Sequence, residues 1–289
     1  MKTLTIVGCA LLVAGSVHAD PLEARVKALE AKVKKLEDEN ARYAEALQFL
    51  EKVYDQQKTQ QQAMDRSEPA TDAMFAVPIA TDLANGQVAG ASGAAVTIVW
   101  AFDLADPYSA RMVAVFDDLL AQYKGKLRVV FKNMIVHPQS AVAAHNAGCA
   151  AGMQHRFGEF WHAYWKDGYA AYANARDLKT IDRDAVIAIA KKAGLDARRL
   201  TADMDGPACA TQVKLDQEEL SRFHVNGTPT FFVNGSVING AVPKETLEAA
   251  IDDKLAAVAK SGVAPGKYYD DVVMAKGEKK FRSKVDPKP

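Results

Sequence analysis

The chain has 289 residues, 36 of them basic and 36 acidic, so its formal net charge at neutral pH is zero. No field of one sign is present to recruit nucleic acid or an anionic membrane, which excludes both as partners. The length allows one good-sized domain with an appendage.

In chain order, the first segment reads MKTLTIVGCALLVAGSVHAD: one lysine, an apolar stretch from Leu4 to Val17, and a small-x-small end at Val17-His18-Ala19. This predicts a signal peptide over residues 1–19, cut after Ala19 and too short to span a bilayer. An alternative reading takes Ile6-Val7-Gly8-Cys9 as a lipobox that would leave a lipidated Cys9. The apolar run before Cys9 is very short, which disfavours it. Export places the mature chain in the periplasm, and no later segment is apolar enough for a membrane span. Cleavage leaves two cysteines, Cys149 and Cys209, an even count in a compartment that tolerates disulfides, so one structural bridge is expected.

Residues 20–57 are rich in Glu, Lys, Ala and Leu. Leu22, Val26, Leu29, Val33, Leu36, Asn40, Tyr43, Leu47, Leu50, Tyr54 and Gln57 alternate steps of four and three. That heptad pattern predicts a coiled-coil oligomerisation helix, with Val26, Val33, Asn40, Leu47 and Tyr54 at a and Leu22, Leu29, Leu36, Tyr43 and Leu50 at d. β-branched a residues over d leucines, with one buried asparagine, favour a parallel homodimer. Arg25 and Lys32 at g would meet Glu30 and Glu37 at e of a parallel partner. A trimer is the alternative, because Tyr43, Leu47 and Tyr54 depart from the dimer pattern. A lone amphipathic helix docked on the globular part is disfavoured, since the apolar stripe is narrow.

Residues 58–94, with their Gln, Ala, Gly and Asp, read as a linker, and residues 95–256 as the globular domain. Val96 to Phe102 is a continuous apolar, β-branched run, the pattern of a strand buried on both faces. Pro107 to Tyr123 has helical periodicity and stops at Gly125; Lys126 to Phe131 is a second strand, giving a parallel β-α-β unit. A helical region follows over about 139–221, broken near 166–180 and 205–207. GTPTFFVNG (227–235) is a strand closing on an Asn-Gly turn, with Ser236 to Ile238 returning as a hairpin. A helix opens at Pro243. Residues 257–289 are expected to form a C-terminal helix and a basic tail, disordered over the last ten residues.

The stretch FDLADPYSAR (102–111) carries a resemblance. A strand leading to Phe-Asp-Tyr-x-Cys-Pro-Tyr-Cys-x-Arg is typical of the DsbA-type thioredoxin-fold disulfide oxidoreductases, and this segment is similar to it. VVFKNMIVHPQSAVAA (129–144), CAAGMQHRFGEFWHAYW (149–165), VNGTPTFFVNG (225–235) and INGAVPKETLEAAI (238–251) resemble further family segments in the right order. The fold class implied is α/β, a thioredoxin fold with an α-helical insertion, preceded by the long coiled-coil α-helix.

Family chemistry is thiol-disulfide exchange by a thiolate at a helix N-terminus. By the resemblance, the two cysteine positions hold Asp106 and Ser109, flanking Pro107 and Tyr108, so a degenerate motif without a family-type nucleophile is expected. Trp100 stands where many members carry a strand glutamate. Cys149 and Cys209 match a cysteine pair of the helical insertion, and Pro229 matches the family's cis-proline, before which Thr228 would receive an extended peptide by strand-like hydrogen bonds. A cis-proline can equally be kept because the turn needs it.

Other conspicuous residues lack a chemical pattern. His145 lies one turn before Cys149 without a third metal ligand, and His137 shows no acid or base partner. Trp161, Trp165, His155 and His162 fall at helical spacings that suit packing. Ser109 beside Asp106 hints at a hydrolase, but no motif places a histidine. No cofactor or metal is implied. The reading that follows is a redox-inactive, dimeric, chaperone-like module for an extended peptide or an envelope protein client. The alternatives are a thiol oxidoreductase or isomerase using Cys149 and Cys209, and a regulatory subunit pairing with a catalytic paralogue.

Overall fold

The computed structural model describes residues 21–288. The expected signal peptide over 1–19, with Cys9, lies outside the described residues. The chain divides into two compact units, meeting between Ala63 and Met64.

The first unit is helical. Helix α1 runs Pro21–Ser67 without a break, about 70 Å at 1.5 Å per residue. None of its residues is buried; the a and d side chains lie exposed in the single chain, from 46% at Val26 to 66% at Tyr43. Isolated helices draw little stability from propensity alone, so this stripe lacks its apolar cover in one copy of the chain.

The expected linker over 58–94 is a correction. The helix continues through its first part, because Lys, Gln, Ala, Met and Arg are good helix formers and no glycine or proline interrupts before Pro69. Beyond it the chain packs closely: Ala70, Ala73, Phe75, Ala76, Val77 and Ile79 are buried. Helix α2 (Ala80–Ala84) and strand β1 (Val88–Gly90) follow. Composition suggested a loose connector because small residues dominate, but small residues also let two backbones approach closely.

The second unit is built on a five-stranded sheet in the order β1-β3-β2-β4-β5. β2 (Val96–Phe102) and β3 (Leu127–Asn133) are buried at every position, as their apolar runs predict, and pair in parallel with Val96 opposite Leu127 and Phe102 opposite Asn133. Helix α3 (Pro107–Gln122) makes the crossover. The insertion comprises α4 (Pro138–Met153), α5 (Phe157–Ala163), a π-helical turn (Tyr164–Tyr169), α6 (Ala170–Ala175), α7 (Arg183–Lys192), α8 (Ala197–Asp205) and α9 (Pro207–Ser221).

β4 (Thr230–Val233) pairs antiparallel with β2, and β5 (Ser236–Asn239) closes the hairpin on it. Asn234 at φ 40° and Gly235 at φ 88° form the turn, the left-handed pair that a two-residue hairpin requires. A Cβ at Gly235 would come 3.0 Å from the Phe75 carbonyl oxygen, and the Phe75 N–H donates to the Gly235 carbonyl at 2.8 Å. The segment after α1 is thereby fastened to the hairpin.

Helix α10 (Lys244–Ser261) takes Pro243 as its cap rather than its first residue and runs without a break past residue 257, where a separate C-terminal helix was expected. The tail is also a correction: Arg282 and Ser283 are buried. Arg282 Nη2 lies 2.7 Å from Asp72, Ser283 bridges to Pro69, and Lys284 Nζ lies 2.6 Å from Glu68. Counting basic residues suggested a solvated tail; their acid partners lie in the segment that composition had read as linker.

Two apolar layers flank the sheet. One holds Ile98, Trp100, Phe102, Phe131 and Phe231 against α3 and the insertion. The other holds Val99, Ala101, Val130 and Phe232 against Phe75, Val77, Phe223 and Tyr269. Cys149 and Cys209 are disulfide-bonded across the insertion, with Cα atoms 5.6 Å apart at a sequence separation of 60. Both are fully buried.

Candidate functional site

β2 ends at Phe102, and the chain turns through Asp103, Leu104 and Ala105 to reach the N-terminus of α3. Asp106 caps that helix in extended geometry, with Pro107 at its first position. Both residue types suit those places, because aspartate accepts from the free helix N–H groups and proline has no N–H to leave unpaired. The Asp106 Oδ1 accepts from the Tyr108 N–H at 3.0 Å. Its Oδ2 accepts from the Ser109 N–H at 2.9 Å, the Ser109 hydroxyl at 2.8 Å and the Thr228 hydroxyl at 2.9 Å.

Asp106 is therefore more than a cap. It joins the start of α3 to the loop that carries the cis Thr228-Pro229 bond. Asp106 is 3% exposed and Ser109 is fully buried. The carboxylate also lies at the positive end of the helix dipole, where negative charge is favoured. Tyr108 is half exposed, with the Arg111 guanidinium 5.1 Å from its ring centre.

Ser109 is not an activated nucleophile. Its hydroxyl proton is donated to Asp106, and its oxygen accepts from the Asp103 N–H at 3.4 Å. Among the described residues no histidine ring bonds to it, so the serine-histidine pairing of a hydrolase triad is not formed there. Trp100 lies wholly inside the core, its ring centre 4.6 Å from Phe116, 5.3 Å from Trp161 and 5.6 Å from both Phe131 and Phe231. It supplies no proton-transfer group beneath the motif.

A buried polar network lies behind the turn, and sequence reading missed its hub, Asp103. Its Oδ1 accepts from the Ala105 N–H at 2.7 Å, and its Oδ2 from the Val136 and His137 N–H groups at 2.6 and 2.8 Å. His137 Nδ1 lies 3.1 Å from the same oxygen. This corrects the expectation that His137 lacks an acid partner: the partner is 34 residues away in sequence and adjacent only across the sheet end. His145, fully buried, accepts from the Leu104 N–H through Nε2 at 3.2 Å, and its Nδ1 is 2.8 Å from Asn133 Oδ1. Burial alone would raise the Asp103 carboxyl. The neighbouring His145 ring and the backbone N–H groups outweigh it and hold the group at about 2.

From Asn133 the network continues inward. Asp216 Oδ2 accepts from the Asn133 side-chain amide at 2.6 Å, and Lys132 Nζ lies 2.7, 2.9 and 2.7 Å from Asp82, Asp216 and Glu219. Burial and then the charge of Asp216 push the Asp82 carboxyl well above its ordinary value. Burial opposes the charge on Lys132, but the carboxylates around it prevail and raise its ammonium above the usual range. The signals in sequence were an acid immediately after a buried strand and a lysine inside another; neither names its partners.

Of the residues singled out from sequence, Asp106, Pro107, Tyr108, Ser109, Thr228 and Pro229 come together, while Cys149 and Cys209 pair within the insertion. His155 adopts φ 59°, and His162 lies on the surface 3.0 Å from Asp117. Trp161 and Trp165 are packed in the core. Among the described residues no three His, Cys, Asp or Glu side chains converge as a metal site, and no helix is long and apolar enough to cross a membrane.

A β-α-β unit, a cis-proline loop facing a helix N-terminus and a helical insertion define a DsbA-like thioredoxin fold. The model of the family described as Thioredoxin matches residues 82–253, and the chain belongs to that family. A thioredoxin-like oxidoreductase from Silicibacter pomeroyi DSS-3 superposes with a TM-score of 0.52 at 26% identity, over 58% of this chain and 91% of that one. BdbD from Bacillus subtilis superposes with a TM-score of 0.52 at 18% identity, over 65% and 99%. Among curated proteins, the Na(+)/H(+) antiporter NhaA of Herminiimonas arsenicoxydans is 30% identical over 165 residues, 57% of this chain. The chain spans about a quarter of that relative's length, 25% by the match.

Proposed function

We propose that the protein is an exported, periplasmic, redox-inactive member of its family that works by binding an extended peptide or an envelope protein client, in a chaperone-like role. The observation that carries this reading is the state of the motif. Asp106 and Ser109 hold the helix start and the cis-proline loop together by hydrogen bonds, and the cysteines among the described residues are buried in one disulfide. A thiolate must reach a substrate sulfur to exchange with it. Thr228 keeps its backbone N–H and C=O free of hydrogen bonds among the described residues, which suits strand-like pairing with a peptide.

The exposed heptad stripe of α1 supports self-association as a parallel coiled coil. Holding several binding domains on one stem would raise avidity for a flexible client without any new contact. The test is suppression of aggregation of a reduced, unfolding protein by the mature chain, with and without residues 20–57. Suppression that weakens on deletion is expected; its absence in both forms would overturn the reading. In parallel, insulin reduction should show no turnover, and activity abolished by Cys149→Ser would transfer the function to thiol chemistry.

A further inference from the structure

A groove of about 760 Å³ lies beside the hairpin, lined by Met64, Phe223, Val225, Val237 and Phe281 and reaching Thr228 and Pro229. That volume falls within the range of ligand sites. Met64 and Phe281 lie outside the residues matched by the family model, 82–253. The end of α1 and the C-terminal segment have added one wall to the sheet. Its one carboxylate, Glu68, is paired with Lys284 at 2.6 Å, and the His224 ring stacks on Phe281 at 4.3 Å. The lining therefore favours an uncharged occupant.

The floor is strand β5, which is an edge of the sheet. Register fixes where its backbone groups point. The Gly240 N–H donates to the Pro229 carbonyl and the Asn234 N–H to the Thr97 carbonyl. With Phe231 opposite Ile238 and Val233 opposite Ser236, alternation turns the N–H and C=O of Ile238 and Ser236 toward β4 and those of Val237 and Asn239 outward. No backbone hydrogen bond reaches Val237 or Asn239 from outside the hairpin among the described residues. Edge strands are commonly protected by charge or proline; Ser236-Val237-Ile238-Asn239 has neither. The same two residues whose amides face outward, Val237 and Asn239, also line the groove.

We propose that this edge is a second peptide site, in which an extended, uncharged, alternately apolar segment of an unfolded polypeptide adds as a sixth strand and sets every second side chain into the groove. The proposal rests on the peptide-binding reading above and assigns it a place along β5, with the groove ending at Thr228 and Pro229 rather than centred on Asp106. Main-chain bonds to Val237 and Asn239 would fix register, and the groove would select apolar side chains by the period of two.

The test uses the full mature chain and a fluorescein-labelled peptide of alternating valine and threonine, with two analogues N-methylated at every second residue in opposite phases. Anisotropy should show one phase binding about tenfold more weakly than the other, since only one set of amides faces the edge. Hydrogen exchange on the unmodified protein should show protection of the Val237 and Asn239 amides when the parent peptide binds. Asn239→Pro, which removes an outward N–H, should weaken binding about tenfold while leaving the melting transition in place.

Equal binding of both N-methylated phases would overturn the proposal, as would protection confined to Tyr108, Ser109 and Thr228. So would protection of the edge that rises with protein concentration without peptide, which would make a second copy the occupant. If Asn239→Pro binds normally while aggregation is still suppressed, the edge site falls and the binding function stands. If the chain binds no peptide and suppresses no aggregation, both fall.

Discussion

Replacing Asp106 by alanine removes four accepted hydrogen bonds from one buried carboxylate. Loss of a helix N-cap costs about 1 kcal/mol. The Ser109 and Thr228 hydroxyls each lose a charged acceptor, worth about 1.5 kcal/mol apiece in a buried setting. Thr228 is only half-buried and recovers part of its share from water, so the expected loss is about 3 kcal/mol. For a folded unit of this size that lowers Tm by about 6–12 °C. Tryptophan fluorescence in urea is the suitable assay, because Trp100, Trp161 and Trp165 all lie in the second unit and the signal is blind to α1. Asp106→Asn, which keeps a capping oxygen but turns an amide toward the hydroxyls, should cost about half as much. A loss below about 1 kcal/mol for Asp106→Ala would refute the claim that this carboxylate clamps the cis-proline loop. Equal losses for alanine and asparagine would refute it too.

Three further outcomes follow from the same geometry. Asp106→Cys combined with Ser109→Cys should form a disulfide reducible by dithiothreitol and detectable by thiol titration; failure to form it would undermine the assignment of these positions to the family motif. The folded Asp103 carboxyl is held at about 2, below its ordinary value of 3.8. Its contribution is therefore complete above pH 4 and lost as pH falls from about 4 toward 2; in urea titrations across that window Asp103→Asn should flatten the acid slope by about 2 kcal/mol, and an unchanged slope would count against the network. Lys132→Met leaves the buried Asp82 and Asp216, with Glu219, without their cation, and should cost at least about 3 kcal/mol at neutral pH. Chemical denaturation should show that loss shrinking as acid protonates the carboxylates, and a neutral effect would mean that they are already solvated.

The sequence by itself carried the elements whose signal is periodic or local. The step pattern from Leu22 to Gln57 named a helix with an apolar stripe because side chains three and four apart share a face. The apolar runs of β2 and β3 named buried strands, and Asn234-Gly235 named the hairpin turn because those residues tolerate positive φ. Asp106-Pro107 was legible as a helix start for the same local reason. Chain order of five family-like segments then set the fold class.

Only tertiary structure decided what those elements meet. That Thr228 bonds to Asp106, 122 residues earlier, follows from the pairing of β2 with β4 bringing two loops to one end of the sheet, and no spacing encodes it. Asp103 with the Val136 and His137 amides, or Lys132 with Asp82, Asp216 and Glu219, are likewise ordinary residues until folding takes the buried carboxylates and the ammonium out of water and brings distant partners to them. The segment after α1 was misread because its small and acidic residues resemble a linker; their role depends on Phe281, Arg282 and Lys284 at the far end of the chain. Local chemistry is written in sequence because it acts over a few bonds, whereas the site is written in contacts between distant segments, which the hydrophobic closure of the sheet creates.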